Sequence, residues 1–150
     1  MQISQYVSYE EATKSQTAER KGINNQPDTD QTERMKYVAK NVFDKVREHI
    51  NEPLFVSSFF RCEELNKAIG GSKTSQHCKG EAIDIDHPSQ NKKVFEFIKD
   101  NLTFDQLIWE FGDDESPAWV HVSLKKEGTN RQQVLIAYSE KGKTKYKQWP

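Results

Sequence analysis

The chain has 150 residues, 34% hydrophobic and 30% charged, with a net charge of −1, which suits one modest hydrophobic core and a well solvated surface. It lacks the basic excess that phosphate backbones demand, so nucleic acid is excluded from the expected partners. No apolar run approaches the roughly 20 residues that span a bilayer. The opening Met1-Gln2-Ile3-Ser4-Gln5-Tyr6 has neither the basic start nor the apolar stretch of a secretory signal. A chain made in the cytoplasm, without a membrane anchor and monomeric, is the expectation. Cys62 and Cys78 are the only cysteines; they are too few for a disulfide scaffold and read as reduced, half-buried small side chains.

In chain order, Ser8-Tyr9-Glu10-Glu11 predicts a capping box that opens a short helix, followed by polar chain through Asn24-Asn25-Gln26-Pro27. A long helix is predicted from Asp28 to Ile50. Its Met35, Val38, Ala39, Val42, Phe43, Val46 and Ile50 recur at spacings of three and four and form one apolar stripe. This helix is read as core, without chemistry. Asn51-Glu52-Pro53 ends it, and Leu54 to Phe60 reads as a strand. Arg61 to Ile69 reads as a short helix stopped by Gly70-Gly71, and Ser72 to Lys79 as a loop. Glu81 to Asp86 alternates as a strand, with Ala82, Asp84 and Asp86 on one face and Ile83 and Ile85 on the other. Val94, Phe95, Phe97 and Ile98 mark another helix. Phe104 to Phe111, Trp119 to Leu124 and Val134 to Tyr138 read as strands. Helices first and then adjacent strands predict an α+β domain, N-terminal helices packed on a central antiparallel sheet, with 1–53 as a helical lead-in and 54–150 as the core.

Four histidines are present. His49, at the polar end of the long helix, reads as a surface residue, and His87, just before Pro88, as a turn residue. His77 lies in Ser75-Gln76-His77-Cys78-Lys79-Gly80-Glu81-Ala82-Ile83-Asp84. There a loop histidine and a strand carboxylate can turn toward one point, with Gly80 free to bend or to approach another backbone closely. His121 alternates with Val120 and Val122, so it leaves its strand on the face opposite the valines. Two histidines and a carboxylate suit zinc with a fourth position left open. The spacing alone is a weak signal and is also met by Asp84 merely pairing with a lysine.

The string Phe60-Arg61, Asn66, Ile69-Gly70-Gly71, Ser75, His77, Gly80, Ala82 and Asp84, continued by Phe104-Asp105-Gln106-Leu107-Ile108-Trp109-Glu110 and Trp119-Val120-His121-Val122-Ser123, resembles the zinc D-Ala-D-Ala peptidases. These share a fold with lysostaphin-type enzymes and the hedgehog signalling domain. Tyr9 to Arg47 is similar to the helical lead-in of phage- and prophage-encoded members. The resemblance implies Zn2+ held by His77, Asp84 and His121, and Arg61 pointing into the cleft to hold a carbonyl oxygen as it gains charge. For Arg61 the alternative is a surface ion pair with Glu63 or Glu64. Ser75 is expected either to bind the substrate backbone or to brace its loop, and Trp119 to contact substrate.

One position departs from the family. Many relatives carry the general base three residues before the last histidine, where this chain has Ala118, and alanine cannot move a proton. Glu110 is the first candidate to replace it, as a strand-end acid in apolar surroundings that would raise its pKa. Glu115 is the second, and Asp113 and Asp114 read as turn residues. The implied activity is hydrolysis of peptidoglycan stem peptides next to a D-amino acid, as an endolysin-like endopeptidase or a D-Ala-D-Ala carboxypeptidase acting at the cell wall after release or delivery. A zinc-bearing module that binds muropeptide without cutting it is the alternative that Ala118 keeps open.

Overall fold

A computed structural model describes residues 1–150. The capping box forms as expected: Ser8 Oγ accepts from Glu11 N and Glu11 Oε1 from Ser8 N, both at 3.1 Å, and helix α1 spans Tyr9–Thr13. A second short helix, α2 (Gln16–Lys21), fills part of the stretch expected to be irregular. It is capped by the Ser15 side chain and ended by Gly22 at φ 65°. With only Ala18 buried, it has no apolar stripe to announce it.

The predicted long helix is three segments: α3 (Thr29–Val38), a π-helical turn (Ala39–Phe43) and α4 (Asp44–Ile50). The turn adds a residue to the helical repeat, and Met35, Val38, Ala39, Val42, Phe43 and Val46 all stay buried through it. It also brings the buried Asp44 inward, where its carboxylate accepts from Ser4 Oγ at 2.8 Å and from the backbone of Gln5 and Tyr6 at 3.2 and 3.3 Å.

Strand β1 (Phe55–Ser58) is shorter than expected, because Phe59 and Phe60 leave the ladder to enter the core. Helix α5 (Glu63–Ala68), a 3-10 turn (Gln76–Lys79), β2 (Ala82–Asp86), α6 (Asn91–Asn101), β3 (Gln106–Glu110), β4 (Trp119–Ser123), β5 (Gln133–Glu140) and β6 (Lys143–Gln148) follow. Together the strands form one six-stranded sheet in the order β1-β2-β4-β3-β5-β6.

The expectation of an antiparallel sheet is corrected here: the sheet is mixed. β4 runs antiparallel to β3 and ends where β3 begins, with Asp105 N donating to Ser123 O at 2.7 Å. The chain then crosses the start of β3 and enters β5 on its other side, so β5 runs parallel to β3, Gln106 opposite Gln133. Asp105 pins this crossing by accepting from the Arg131 backbone at 3.0 Å and from its guanidinium at 3.0 and 2.7 Å. β6 had not been predicted: it is an exposed edge strand of lysines and polar residues, without an apolar face to betray it.

One face of the sheet, carrying Ile83, Ile85, Leu107, Trp109, Val120 and Val122, belongs to the same buried cluster as Val38, Val42 and Phe43 of the long helix and Val94, Phe95 and Ile98 of α6. By strand alternation the other face carries Asp84, Ile108, Glu110, Trp119 and His121, and all five line a cleft of about 760 Å³.

Candidate metal centre

His77 reaches this face from the 3-10 turn. Gly80 ends the turn at φ 77°, and a Cβ there would lie 2.6 Å from the Gln31 carbonyl oxygen and 2.9 Å from Met35 Cγ. Both the conformation and the close approach therefore require glycine. Helix α3 clamps the turn from behind, Gln31 donating to the Cys78 carbonyl at 3.1 Å and Arg34 to that of Lys79 at 2.6 Å. His77 Nδ1 lies 2.7 Å from the Phe59 carbonyl oxygen. A carbonyl can only accept, so Nδ1 carries the proton and Nε2 presents its lone pair to the cleft.

Asp84 and His121 are direct cross-strand partners in the β2–β4 ladder. The carboxylate lies between the two rings, 2.9 Å from His121 Nδ1 and 3.4 Å from His77 Nε2. One donor atom from each of the three residues lies within 4.8 Å of the others. Ligands at about 2.0–2.2 Å from a tetrahedral ion stand roughly 3.4 Å apart, so little movement brings these atoms around one. The protonation states suit the task as well. Burial pushes the His77 imidazolium down, with Asp84 opposing in part, and so favours the neutral ring. Burial alone would raise the Asp84 carboxyl, but the two histidine rings beside it, His77 and His121, outweigh burial and hold the carboxylate ionised.

Arg61 stands just beyond β1, its backbone N donating to the His77 carbonyl at 3.3 Å and its Nη2 to Ser75 Oγ at 3.4 Å. It lines the cleft beside Asp84 and forms no ion pair with Glu63 or Glu64. Its Nε is buried with no hydrogen-bond partner, which leaves a charged donor group incompletely satisfied. Ser75 Oγ also accepts from His77 N at 3.3 Å, so it braces the histidine turn while lining the cleft.

Glu110, at the end of β3, is buried to 7% exposure. Burial pushes its carboxyl up to about 7, with His121 opposing and Asp84 adding to the rise. Ala118 is its immediate neighbour, donating its backbone N–H to the Glu110 carbonyl at 2.8 Å. Glu110 thus places a carboxyl on β3, the strand beside position 118. Glu115 is exposed in the β3–β4 turn and does not line the cleft. Asp113 organises that turn, accepting from Glu115 N and Ser116 N at 2.9 and 3.0 Å, as a turn residue should. Trp119 lines the cleft against Phe111, ring centroids 5.5 Å apart.

The other two histidines lie away from the cleft. His49 is exposed and stacks on Phe97 at 4.1 Å. His87 is buried, and its Nδ1 accepts from Ser89 N and Gln90 N at 3.0 Å, closing the turn into α6. Both cysteines are free and half-buried, and Cys62 Sγ caps α5 by accepting from Leu65 N at 3.4 Å.

Residues not singled out in the sequence complete the cleft: Gln76, Phe111, Arg131, Leu135, Thr144 and Tyr146. Gln76 donates to Asp105 at 3.1 Å, so one buried carboxylate ties the residue before His77 to Arg131. The motif containing Asp105 was a usable signal for that anchor, whereas Arg131 had none. No curated protein matches the chain. Residues 5–123, which include the three clustered donors, Arg61 and Glu110, match the model of the family described as Peptidase M15. The chain therefore belongs to the Peptidase M15 family.

Proposed function

We propose that this chain is a zinc peptidase that hydrolyses peptide bonds of bacterial peptidoglycan next to a D-amino acid, with His77, Asp84 and His121 as the metal ligands and Glu110 as the general base. The family supports peptidase chemistry on cell-wall peptides. The observation that carries the rest is the placement of Glu110: a buried carboxyl, pushed up to about 7, on the same sheet face as the three donors.

Zinc held there supplies a Lewis acid that polarises the scissile carbonyl and makes a water molecule more acidic. Glu110 takes one proton from the attacking water as its oxygen bonds the carbonyl carbon. As the C–N bond breaks, the same carboxyl hands that proton to the departing nitrogen, giving a free acid and a free amine. A carboxyl poised near neutrality can both accept and return a proton. Arg61, on the opposite side of the donors, lines the cleft where its guanidinium faces the carbonyl oxygen as it becomes an oxyanion. Ser75 keeps His77 and Arg61 in place and can reach the peptide backbone; Trp119 walls the cleft beside Glu110. A non-cutting muropeptide-binding module would follow from Ala118 alone, and Glu110 next to it argues for turnover instead.

Mass analysis of muropeptides after incubation of purified peptidoglycan with the zinc-loaded chain tests this reading. New peptide termini that disappear when zinc is chelated support it. An unchanged muropeptide profile contradicts it.

A further inference from the structure

The β5–β6 hairpin forms one end of the cleft and has no part in the proposed chemistry. Across the sheet at Glu110 the register runs Trp119 on β4, Glu110 on β3, Ala137 on β5 and Tyr146 on β6. With strands about 4.8 Å apart, Tyr146 is rooted roughly 10 Å from Glu110, with only a methyl group between them. Alternation gives Thr144 and Tyr146 to the cleft. Lys143, Lys145 and Lys147 take the other face, where Lys147 lies over the Tyr138 ring at 5.4 Å.

Only Met1, Phe55, Ile69 and Tyr146 are large hydrophobic side chains left exposed. Two of these, Ile69 and Tyr146, line the cleft, Ile69 near Arg61 and Tyr146 at the hairpin. Apolar surface left in water along a cleft is surface a ligand can cover. The hairpin is also held firmly. Trp149, just after β6, packs on Phe95 and Trp109 with ring centroids 4.8 and 5.3 Å away, and its backbone N donates to the Val134 carbonyl at 3.0 Å.

The direction of the peptide follows from the roles of Arg61 and Glu110, and the inference rests on that reading. The carbonyl oxygen faces Arg61 beside β1, and the departing nitrogen receives its proton from Glu110 on β3. The part of the peptide beyond the cut therefore runs over β5 toward β6. We propose that Leu135, Thr144 and Tyr146 form a subsite for peptide residues beyond the bond cut, so that the cleft prefers a chain continuing past that bond to one ending there. An extended peptide advances about 3.3 Å per residue, so the roughly 10 Å from Glu110 to Tyr146 corresponds to about three residues.

Calorimetric titration of the zinc-loaded full chain tests this by binding alone. Two synthetic peptides share the same acyl half, ending in a D-residue, and in both a reduced, non-hydrolysable linkage replaces the target bond. One carries a single D-alanine beyond that linkage and the other carries three residues. The longer peptide should bind about tenfold more tightly. That preference should fall to within about twofold in Tyr146→Ala and persist in Lys145→Ala on the opposite face. Equal affinity for the two peptides, a preference that survives Tyr146→Ala, or one lost equally in Lys145→Ala overturns the subsite. Failure of the catalytic reading shows separately, as absence of muropeptide turnover by the unsubstituted chain.

Discussion

Glu110 and His121 stand diagonally across the β3–β4 ladder: Ile108 is the direct partner of His121, and Glu110 lies two residues further along the same face. The period of two along a strand fixes this relationship, because any shift by one residue would turn Glu110 into the core. A carboxyl buried here is destabilised when it ionises, and that has a measurable sign. Burial pushes the native carboxyl up to about 7 from an ordinary 4.5, so between those pH values the native state holds a proton that the unfolded chain has released. Stability of the metal-free protein should therefore fall as pH rises through that window, by on the order of 2 kcal/mol from this group. Denaturant unfolding at pH 5 and pH 8, with and without Glu110→Gln, isolates the effect. The substituted protein should be the more stable at pH 8, and equal pH dependence in both would contradict the placement.

The proposed metal ligands make a prediction of content. Zinc-loaded protein should hold about one zinc per chain, and His77→Ala or His121→Ala should each remove most of it, since two protein ligands hold zinc poorly. Elemental analysis after dialysis checks this. Full retention in both variants would remove these residues from the metal site.

Asp105 is fully buried and accepts from Arg131, whose side chain is half exposed. Burial alone would raise the Asp105 carboxyl, but the hydrogen bonds and charge of Arg131, with Lys125, bring it down to about 2. This is the usual carboxylate sign: the stabilisation is present above about pH 4 and is lost as pH falls toward 2. Asp105→Ala should cost on the order of 2 kcal/mol at pH 7, below the 3–5 kcal/mol of a fully buried pair because water can still solvate the orphaned Arg131. It should also flatten the acid limb of the stability curve. Denaturant unfolding from pH 2 to 7 reads both, and an unchanged acid limb would contradict the pairing.

How much the sequence shows depends on which physical signal each residue carries. His77, Asp84 and His121 were legible because they stand in a motif, and strand alternation sets the face of Asp84 and His121. Met35 to Val46 were legible because burial imposes a period near 3.6. The π-helical turn was not, since it preserves the apolar stripe while adding a residue. The parallel β5 was hidden because direction is decided by which side of β3 the 124–132 crossing takes, and that choice leaves no local pattern. Tyr146 and Arg131 were missed for a related reason. They act on the cleft from an exposed edge strand and a loop, where neither periodicity nor a turn signal marks them.

The most direct test of the central claim is the turnover of muropeptides by zinc-loaded Glu110→Gln, compared with the unsubstituted chain at equal zinc content. The substitution keeps the side chain's volume and removes its ability to take a proton. Turnover should fall by roughly 10²–10⁴-fold while zinc stays bound. Turnover within a few-fold of the unsubstituted chain would show that Glu110 is not the base.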